Sequence, residues 1–248
     1  MSSRLKFGLV GKNISYSFSK KYFTEKFQEL GLQHNEYKNY DLPEIEEFPF
    51  ILYHKEEDFK GFNVTIPYKQ SIIKYLDDVQ GDAKEIGAVN TIKVTKDNTL
   101  VGYNTDVYGF QRSIEPLLQK HHTKALILGT GGASKAVAHA LSKFGIAYKF
   151  VSRNIIDKGF LYTALTKEII EEHTIIINCS PIGTFPNIDN SPNIPYQFIT
   201  NKHILFDLIY NPNKTKFLQE GEKIGATIKN GLEMLEFQAE KSWEIWNS

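Results

Sequence analysis

The stretch Ala125 to Gly145, ALILGTGGASKAVAHALSKFG, decides the fold. Ala125, Leu126, Ile127 and Leu128 form a short apolar run of the kind that makes a buried strand. The run breaks at Gly129-Thr130-Gly131-Gly132-Ala133-Ser134, and a helical pattern follows at once. Ala133, Ala136, Val137, Ala140, Leu141 and Phe144 recur at i, i+3, i+4, i+7, i+8 and i+11, one apolar stripe of an amphipathic helix. Gly145 stands just past the stripe, where a left-handed cap is expected. Strand, glycine turn and helix together read as a dinucleotide-binding βα unit. The glycines let the backbone turn tightly and approach a pyrophosphate, whose charge the unpaired N–H groups and dipole of the helix start hold. Ser134 occupies the third glycine position, and a small residue there still permits close helix–strand packing. A tight turn without a ligand is the plainer reading of the glycines alone; the strand and helix around them favour a cofactor.

The totals bound the rest. A chain of 248 residues is one large or two modest domains with room for a sizeable core. Its 29 basic and 29 acidic residues balance, so no global field favours nucleic acid or an anionic membrane. No run approaches the roughly 18 apolar residues of a membrane span. The opening MSSRLKFGLVGK has no apolar core of signal-peptide length. The lone cysteine, Cys179, excludes an internal disulfide framework. A soluble cytoplasmic protein is expected.

Ahead of the glycine unit the chain reads β–turn–α. Phe7 to Val10 is a strand broken by Gly11, and Tyr22, Phe23, Phe27 and Leu30 carry a helical stripe ended by Gly31. Between them Ser15, Ser17 and Ser19 crowd the helix start. One serves as N-cap; two hydroxyls at i, i+2 equally suit a carboxylate. Glu36 to Tyr40 reads as a strand, and Ile45 to Phe59 as helical in part. In Gly61-Phe62-Asn63-Val64-Thr65-Ile66-Pro67-Tyr68-Lys69, apolar residues alternate with polar ones, a strand signal. Pro67 then suits the first turn of a helix carrying Ile72, Ile73 and Leu76. Asn63 and Thr65 thus fall at the carboxyl end of a strand, the rim where α/β sheets bind ligands, with Lys69 on the helix beyond. A lone helix lysine is ordinarily just solvated. Ala88 to Val94 and Leu100 to Asn104 flank a polar turn and read as a hairpin. Asn104-Thr105-Asp106 starts a helix on Val107, Phe110, Ile114 and Leu117, kinked or ended by Pro116. Asp106 there simply complements a helix dipole, or does more.

Behind the glycine unit, Tyr148 to Val151 is the second strand of the nucleotide-binding domain, and it ends in Ser152-Arg153-Asn154. A NAD site usually places an acid here, about 20 residues past the glycines, for the ribose hydroxyl. An arginine without an acid suits a phosphate and favours NADP, although Asp157 and Lys158 follow closely. Thr174 to Asn178 and Ile204 to Leu208 are further strands, leading to Cys179-Ser180 and to Tyr210-Asn211-Pro212. Cys179 has no paired histidine in sequence and reads as a packing residue. A helix from about Thr215, a strand near Ala226 to Lys229 and a helix running to Trp246 close the chain. No metal-ligand spacing occurs.

Taken together, the segments resemble the shikimate dehydrogenase family. The match is an ordered set over nearly the whole chain: Ser17-Phe18-Ser19, Asn63 to Lys69, Gly87-Ala88-Val89-Asn90-Thr91, Asn104-Thr105-Asp106, Gly129 to Ser134, Tyr210-Asn211-Pro212 and Gly231-Leu232 through Gln238. The resemblance implies an α/β fold of two domains with a cleft between them. Residues 1–104 form the catalytic substrate-binding domain and 105–231 the Rossmann NADP-binding domain, with the helix 232–248 packing back onto the first. It implies Lys69 and Asp106 as the catalytic pair. Ser17, Ser19 and Tyr210 would bind the substrate carboxylate, and Thr65, Asn90 and Gln238 its ring hydroxyls or keto oxygen. The cofactor NADP would lie on Gly129, Thr130, Gly131, Gly132, Ala133 and Ser134, with Ser152, Arg153 and Asn154. Two departures stand out: Ser152-Arg153-Asn154 replaces the family's Asn-Arg-Thr, and Asp157 stands where a second basic residue often follows. Lys20 also replaces a proline after the serine pair.

The implied reaction is reversible NADPH-dependent reduction of 3-dehydroshikimate to shikimate. It needs a hydride donor and a proton donor to the ketone oxygen, the latter Lys69, with Asp106 holding the substrate hydroxyl and the lysine. Serine and tyrosine hydroxyls would orient the substrate acid by hydrogen bonds. Neither metal, nucleic acid nor membrane is expected as a partner, and the chain is expected as a monomer or homodimer. Three rivals remain. One is a quinate/shikimate dehydrogenase with relaxed cofactor use, another a non-catalytic NADP-binding regulator on this fold. A folate-type methylene dehydrogenase is the third, without support from the Ser17/Ser19 and Gln238 segments.

Overall fold

The computed structural model describes residues 4–15, 17–52, 58–154 and 157–248. Tyr16 of the serine segment and residues 53–57 of the part-helical stretch lie outside them. The chain divides into two compact units, Met1–Thr105 with Ala239–Ser248, and Asp106–Gln238.

The first unit runs β1 (Leu5–Gly11), α1 (Phe18–Glu29), β2 (Glu36–Asp41), α2 (Phe48–Leu52), β3 (Asp58–Val64), β4 (Asp78–Val79), α3 (Asp82–Ile86), β5 (Thr91–Val94) and β6 (Leu100–Tyr103). Its six strands are ordered β2-β1-β3-β5-β6-β4. β1 pairs in parallel with β2 and β3, whereas β5 runs antiparallel to both β3 and β6. The expected hairpin is thus present. α1 begins where the serines crowd: Ser17 is its N-cap, the Oγ accepting from the Lys20 N–H at 3.4 Å. Phe7, Phe23, Phe27 and Tyr37 form one core layer with Ala239 and Trp246, while Phe48, Phe62, Ile72 and Ile92 centre another.

One expectation fails here. Pro67 does not open an α-helix; the chain turns through residues 66–70 and then makes a short 3-10 helix, Ser71–Tyr75. The Lys69 carbonyl accepts from the Val89 N–H at 2.7 Å, so it is engaged across the fold instead of by residue 73. The Tyr68 hydroxyl donates to the carbonyls of Leu42 at 2.7 Å and Pro43 at 2.9 Å, which ties the turn down further. Lys69 therefore sits on a turn, not on a helix.

The second unit runs α4 (Asp106–Ile114), β7 (Lys124–Leu128), α5 (Gly132–Lys143), β8 (Ala147–Ser152), β9 (Phe160–Leu161), α6 (Lys167–Glu172), β10 (Ile175–Asn178), β11 (Ile204–Asp207), α7 (Lys216–Lys223) and β12 (Thr227–Lys229). Pro116 falls in a 3-10 turn just after α4. The sheet order is β12-β11-β10-β7-β8-β9, with every pairing parallel. Counted along the chain, that is the 3-2-1-4-5-6 order of a doubly wound dinucleotide fold. The strand order reverses between β7 and β10, and ligands bind outside the carboxyl ends of strands at such a switch point. Leu126, Ile127, Ile176 and Leu205 are wholly buried, which is why these strands read as continuous apolar runs instead of alternating ones.

Asp207, at the end of β11, ties the rim loops together. Its Oδ1 accepts from Asn178 Nδ2 and from the Ile209 N–H, both at 3.0 Å, and its Oδ2 from the Thr215 hydroxyl at 2.6 Å. Asn178 Oδ1 in turn accepts from the Ser180 N–H at 3.0 Å and its hydroxyl at 2.6 Å. The loops after β10 and β11 and the N-cap of α7 thus share one buried carboxylate.

The last helix, α8 (Leu232–Asn247), belongs to the second unit as far as Gln238 and to the first from Ala239 onward. In the first unit Trp246 anchors it, Nε1 donating to the Ile92 carbonyl at 2.9 Å with its ring 4.9 Å from Phe7 and 5.1 Å from Phe23. Lys26 on α1 adds an ion pair to Glu240 at 2.7 Å.

Gly61 leaves room for this anchor: a Cβ there would collide with the Trp246 indole and stand 2.5 Å from the Ile92 oxygen. Gly61→Ala is expected to lower unfolding free energy by ~2–3 kcal/mol through overpacking. Urea denaturation checks this, and an unshifted midpoint would refute the anchor. Burial pushes the Asp207 pKa up from 3.8 to about 6. The folded state then holds that proton more tightly than the unfolded one, so Asp207's contribution is full below the unfolded pKa and lost as pH rises through about 6. The stability of the wild type relative to Asp207→Asn is expected to fall by up to ~3 kcal/mol between about pH 4 and about pH 7. Equilibrium unfolding across that range checks it, and a flat difference would count against it.

Candidate functional site

In the first unit, the candidate residues come from the carboxyl ends of β1 and β3 and from the turn before β5. Thr65 follows β3: its N–H donates to the Val10 carbonyl at 2.9 Å and its own carbonyl accepts from Tyr68, also at 2.9 Å. Gly11 has no side chain because the Thr65 methyl, 2.5 Å from where a Cβ would stand, takes that space. Lys69 is half-buried on the turn beyond.

Asn90 is fixed from every side. Its backbone N–H donates to Tyr103 at 3.0 Å, and its carbonyl accepts from Val64 at 2.8 Å. Its side-chain Oδ1 accepts from the Thr105 N–H at 2.7 Å, while Nδ2 donates to the Thr105 hydroxyl at 3.0 Å. The residue that follows Thr105 is Asp106, buried at the first position of α4.

Ser17 and Ser19 divide their work. Ser17, half-exposed, caps α1. Ser19 is buried, and its side chain hydrogen-bonds the hydroxyl of Tyr37, a phenol whose pKa burial pushes far up. Tyr37 donates to Asn63 Oδ1 at 2.8 Å, so the group behind Ser19 is a neutral hydrogen-bonding chain. The sequence reading placed Asn63 on the strand end but missed Tyr37, Thr91, Thr105 and Ser242, which share this buried layer with it. Alternating polar residues in β3 were the only available signal.

In the second unit, the glycine turn lies on the switch point, and its glycines differ in kind. Gly129 has φ +107°, and a Cβ there would press on the Cys179–Ser180 backbone at 3.4 Å. Gly131 is the N-cap of α5, without any side-chain cap bond, and at Gly131 and Gly132 a Cβ would meet nothing within 4 Å. Their lack of side chains leaves open space in front of a helix N-terminus, which suits a phosphate approaching the backbone. Ala133 is half-buried inside the helix and Thr130 exposed before it. Ser134 is wholly buried, its hydroxyl donating to the Gly131 carbonyl at 2.6 Å, and so serves the close packing asked of the third position.

Ser152 ends β8, and its hydroxyl accepts from the Asn154 N–H at 3.2 Å. Arg153 and Asn154 are exposed beside it, with Asp157 and Lys158 exposed further on. Tyr210 is 38% exposed on the loop after β11, directly after Ile209, whose N–H Asp207 holds. Gln238 is buried on α8, Nε2 donating to the Leu235 carbonyl at 2.9 Å, and its Cβ lies against Gly109 of α4. Burial pushes the Cys179 thiol pKa up, as does the nearby Asp207 charge, so it is a poor nucleophile. Among the described residues no three His, Cys, Asp or Glu side chains are grouped to hold a metal, and no helix is long and apolar enough to cross a membrane.

Comparison with known proteins agrees with this geometry. Residues 9–92 match the model of the shikimate dehydrogenase substrate-binding domain. The NADP(+)-type shikimate dehydrogenase of Caldicellulosiruptor saccharolyticus is 35% identical over 96% of this chain and 90% of its own. A chorismate mutase/shikimate 5-dehydrogenase fusion protein from Clostridium acetobutylicum superposes with a TM-score of 0.88 at 32% identity, over 99% of this chain and 92% of that one. The Thermus thermophilus shikimate 5-dehydrogenase, solved with NADP(H) and shikimate, gives 0.85 at 29% identity over 98% and 93%. With a family-matched first unit, a doubly wound second unit and relatives spanned almost end to end, the chain belongs to the shikimate dehydrogenase family.

Proposed function

We propose that this protein is an NADP-dependent shikimate dehydrogenase, catalysing reversible reduction of 3-dehydroshikimate to shikimate. The observation that carries the reading is the open glycine cradle at the switch point, in a chain aligned over 96% of its length with an NADP(+)-type shikimate dehydrogenase. Backbone N–H groups at Gly131, Gly132 and Ala133 suit the pyrophosphate, and Arg153 the 2′-phosphate. Bound NADPH supplies the hydride.

The chain's own residues then bind, orient and move a proton. Ser17, Ser19 and Tyr210 present hydroxyls to the substrate carboxylate, and Thr65, Asn90 and Gln238 hold the ring oxygens. Lys69 gives its proton to the ketone oxygen as the alcohol forms and takes it back in the reverse direction. Asp106 holds the substrate hydroxyl and keeps the lysine oriented. A cytoplasmic setting belongs to the same proposal.

Lys69→Ala is expected to lower kcat by about 10²–10⁴-fold while shikimate KM changes only a few-fold, as loss of a general acid requires. Following NADPH absorbance with shikimate and NADP checks it; unchanged kcat with a raised KM would assign Lys69 to binding alone. Arg153→Ala is expected to raise the KM for NADP by roughly tenfold or more, and to leave that for NAD unaltered, because a charge-assisted phosphate contact is lost. Equal effects on both cofactors would remove Arg153 from phosphate recognition. Turnover of quinate, or NAD used as well as NADP, would favour the relaxed quinate/shikimate enzyme.

A further inference from the structure

The edge of the second sheet opposite the glycine turn is built on histidines. His122 stands just before β7, His173 just before β10 and His203 just before β11, all three buried at the amino ends of adjacent strands. His122 and His203 close two turns of the same design. The His122 N–H donates to the Gln119 carbonyl at 2.9 Å, and its ring Nδ1 accepts from the Gln119 N–H, also at 2.9 Å. The His203 N–H donates to the Thr200 carbonyl and its Nδ1 accepts from the Thr200 N–H, both at 3.1 Å, with the Thr200 hydroxyl at 3.1 Å from the same nitrogen. The far nitrogen of each ring faces a carbonyl at 3.0 Å, Lys202 for His122 Nε2 and Ile170 of α6 for His203 Nε2. His121 Nε2 shares the Lys202 carbonyl, also at 3.0 Å. Because β10 lies between β7 and β11 in the sheet, the bond from His122 to Lys202 bridges the turns on either side of it.

Only one protonation state of His122 satisfies these contacts. A backbone N–H only donates and a carbonyl only accepts, so the ring carries its hydrogen on Nε2 and a lone pair on Nδ1. Both nitrogens are engaged, as neutral imidazole. An added proton would sit on Nδ1 and face the Gln119 N–H, two donors head to head. The titratable groups facing His122 are His121 from its own turn, with ring centroids 4.0 Å apart, and His203 from the turn before β11. Neither supplies the negative charge an imidazolium would need. Glu172 of α6 is held by Lys124 and lies 3.9 Å from His173. Burial above all, opposed by the Lys202 carbonyl and aided by His121 and His203, holds the His122 pKa below its ordinary value.

We propose that His122 is an acid-sensitive latch of the second unit: as a neutral ring it closes the turn before β7 and ties it to the turn before β11, and gaining a proton opens that turn. The folded state takes up this proton less readily than the unfolded chain. The latch's contribution is therefore full above the unfolded pKa of 6.5 and lost as pH falls below it. Asp207, at the other end of β11, has the opposite sign, so the quantity to read is a difference in which Asp207 cancels.

His122→Asn is the informative substitution. Its Oδ1 stands as many bonds from the backbone as Nδ1 does and accepts the Gln119 N–H in the same way, but it does not titrate. Urea unfolding of wild type and variant is compared at about pH 7.5 and about pH 5, without cofactor or substrate. On acidification the unfolding constant of the wild type is expected to rise up to about 30-fold more than that of the variant. Ring-nitrogen NMR of the folded wild type is expected to show the Nε2–H tautomer at His122. It should also show that ring still neutral at about pH 6, where an unfolded histidine is mostly charged.

The latch is overturned if wild type and variant share one pH dependence within about twofold, or if the variant is the more acid-sensitive. An Nδ1–H tautomer at His122, or an imidazolium there in the folded chain at about pH 6, overturns it as well. Should His122→Asn fail to fold, the ring spectra of the wild type decide alone. Neither measurement involves cofactor or substrate, so failure here leaves the shikimate dehydrogenase reading standing, and failure of that reading leaves the latch.

Discussion

The hydrogen bond from the Thr105 N–H to Asn90 Oδ1, 2.7 Å long, is the constraint on which the first unit's polar layer rests. It is buried, and a buried amide left without an acceptor costs roughly 1–3 kcal/mol. Asn90 can supply that acceptor because its backbone is already stitched to β3 through Val64 and to β6 through Tyr103. One residue thus closes the end of the hairpin and fixes the backbone from which Asp106 begins α4. Asn104 adds a second tie, its Nδ2 donating to the Ala88 carbonyl at 3.0 Å. The segments Ala88 to Thr91 and Asn104-Thr105 are therefore two halves of one hydrogen-bonded structure.

The second unit meets a different demand with different means. A parallel sheet buried on both faces needs apolar strands, and it leaves chemistry to the loops at their carboxyl ends. Asp207 keeps two of those loops in place by offering both carboxylate oxygens to three donors. Burial of the charge raises the pKa to about 6, and the three hydrogen bonds oppose that shift without cancelling it. The order imposed is local and strong. It reaches Ser180 through Asn178, and the Cys179–Ser180 backbone is what a side chain at Gly129 would strike.

How much of this the sequence disclosed depends on whether each cause was local. The glycine unit was legible because strand burial, turn and helix stripe all lie within Ala125 to Gly145, and the helix start shifted only to Gly132. The N-cap at Ser17 and the β5–β6 hairpin were legible for the same reason. Pro67 was misread because the deciding contact, Lys69 carbonyl to Val89 N–H, comes from 20 residues away along the chain. Two-residue strands such as β4 and β9 carry too little pattern to detect. The layer joining Asn63 to Ser242 has no sequence signature, since nothing in α8 announces that one serine faces inward at a polar strand end.

The chemistry of that layer explains why it is built from hydroxyls and amides and not from ion pairs. The closest ion pairs of the first unit keep at least one partner well exposed, as Lys26–Glu240 does with the Glu240 side chain 43% exposed. A charge placed beside Asn63 or Thr91 would need desolvation that its partners there do not repay. Neutral hydroxyls avoid that cost, and each both donates and accepts.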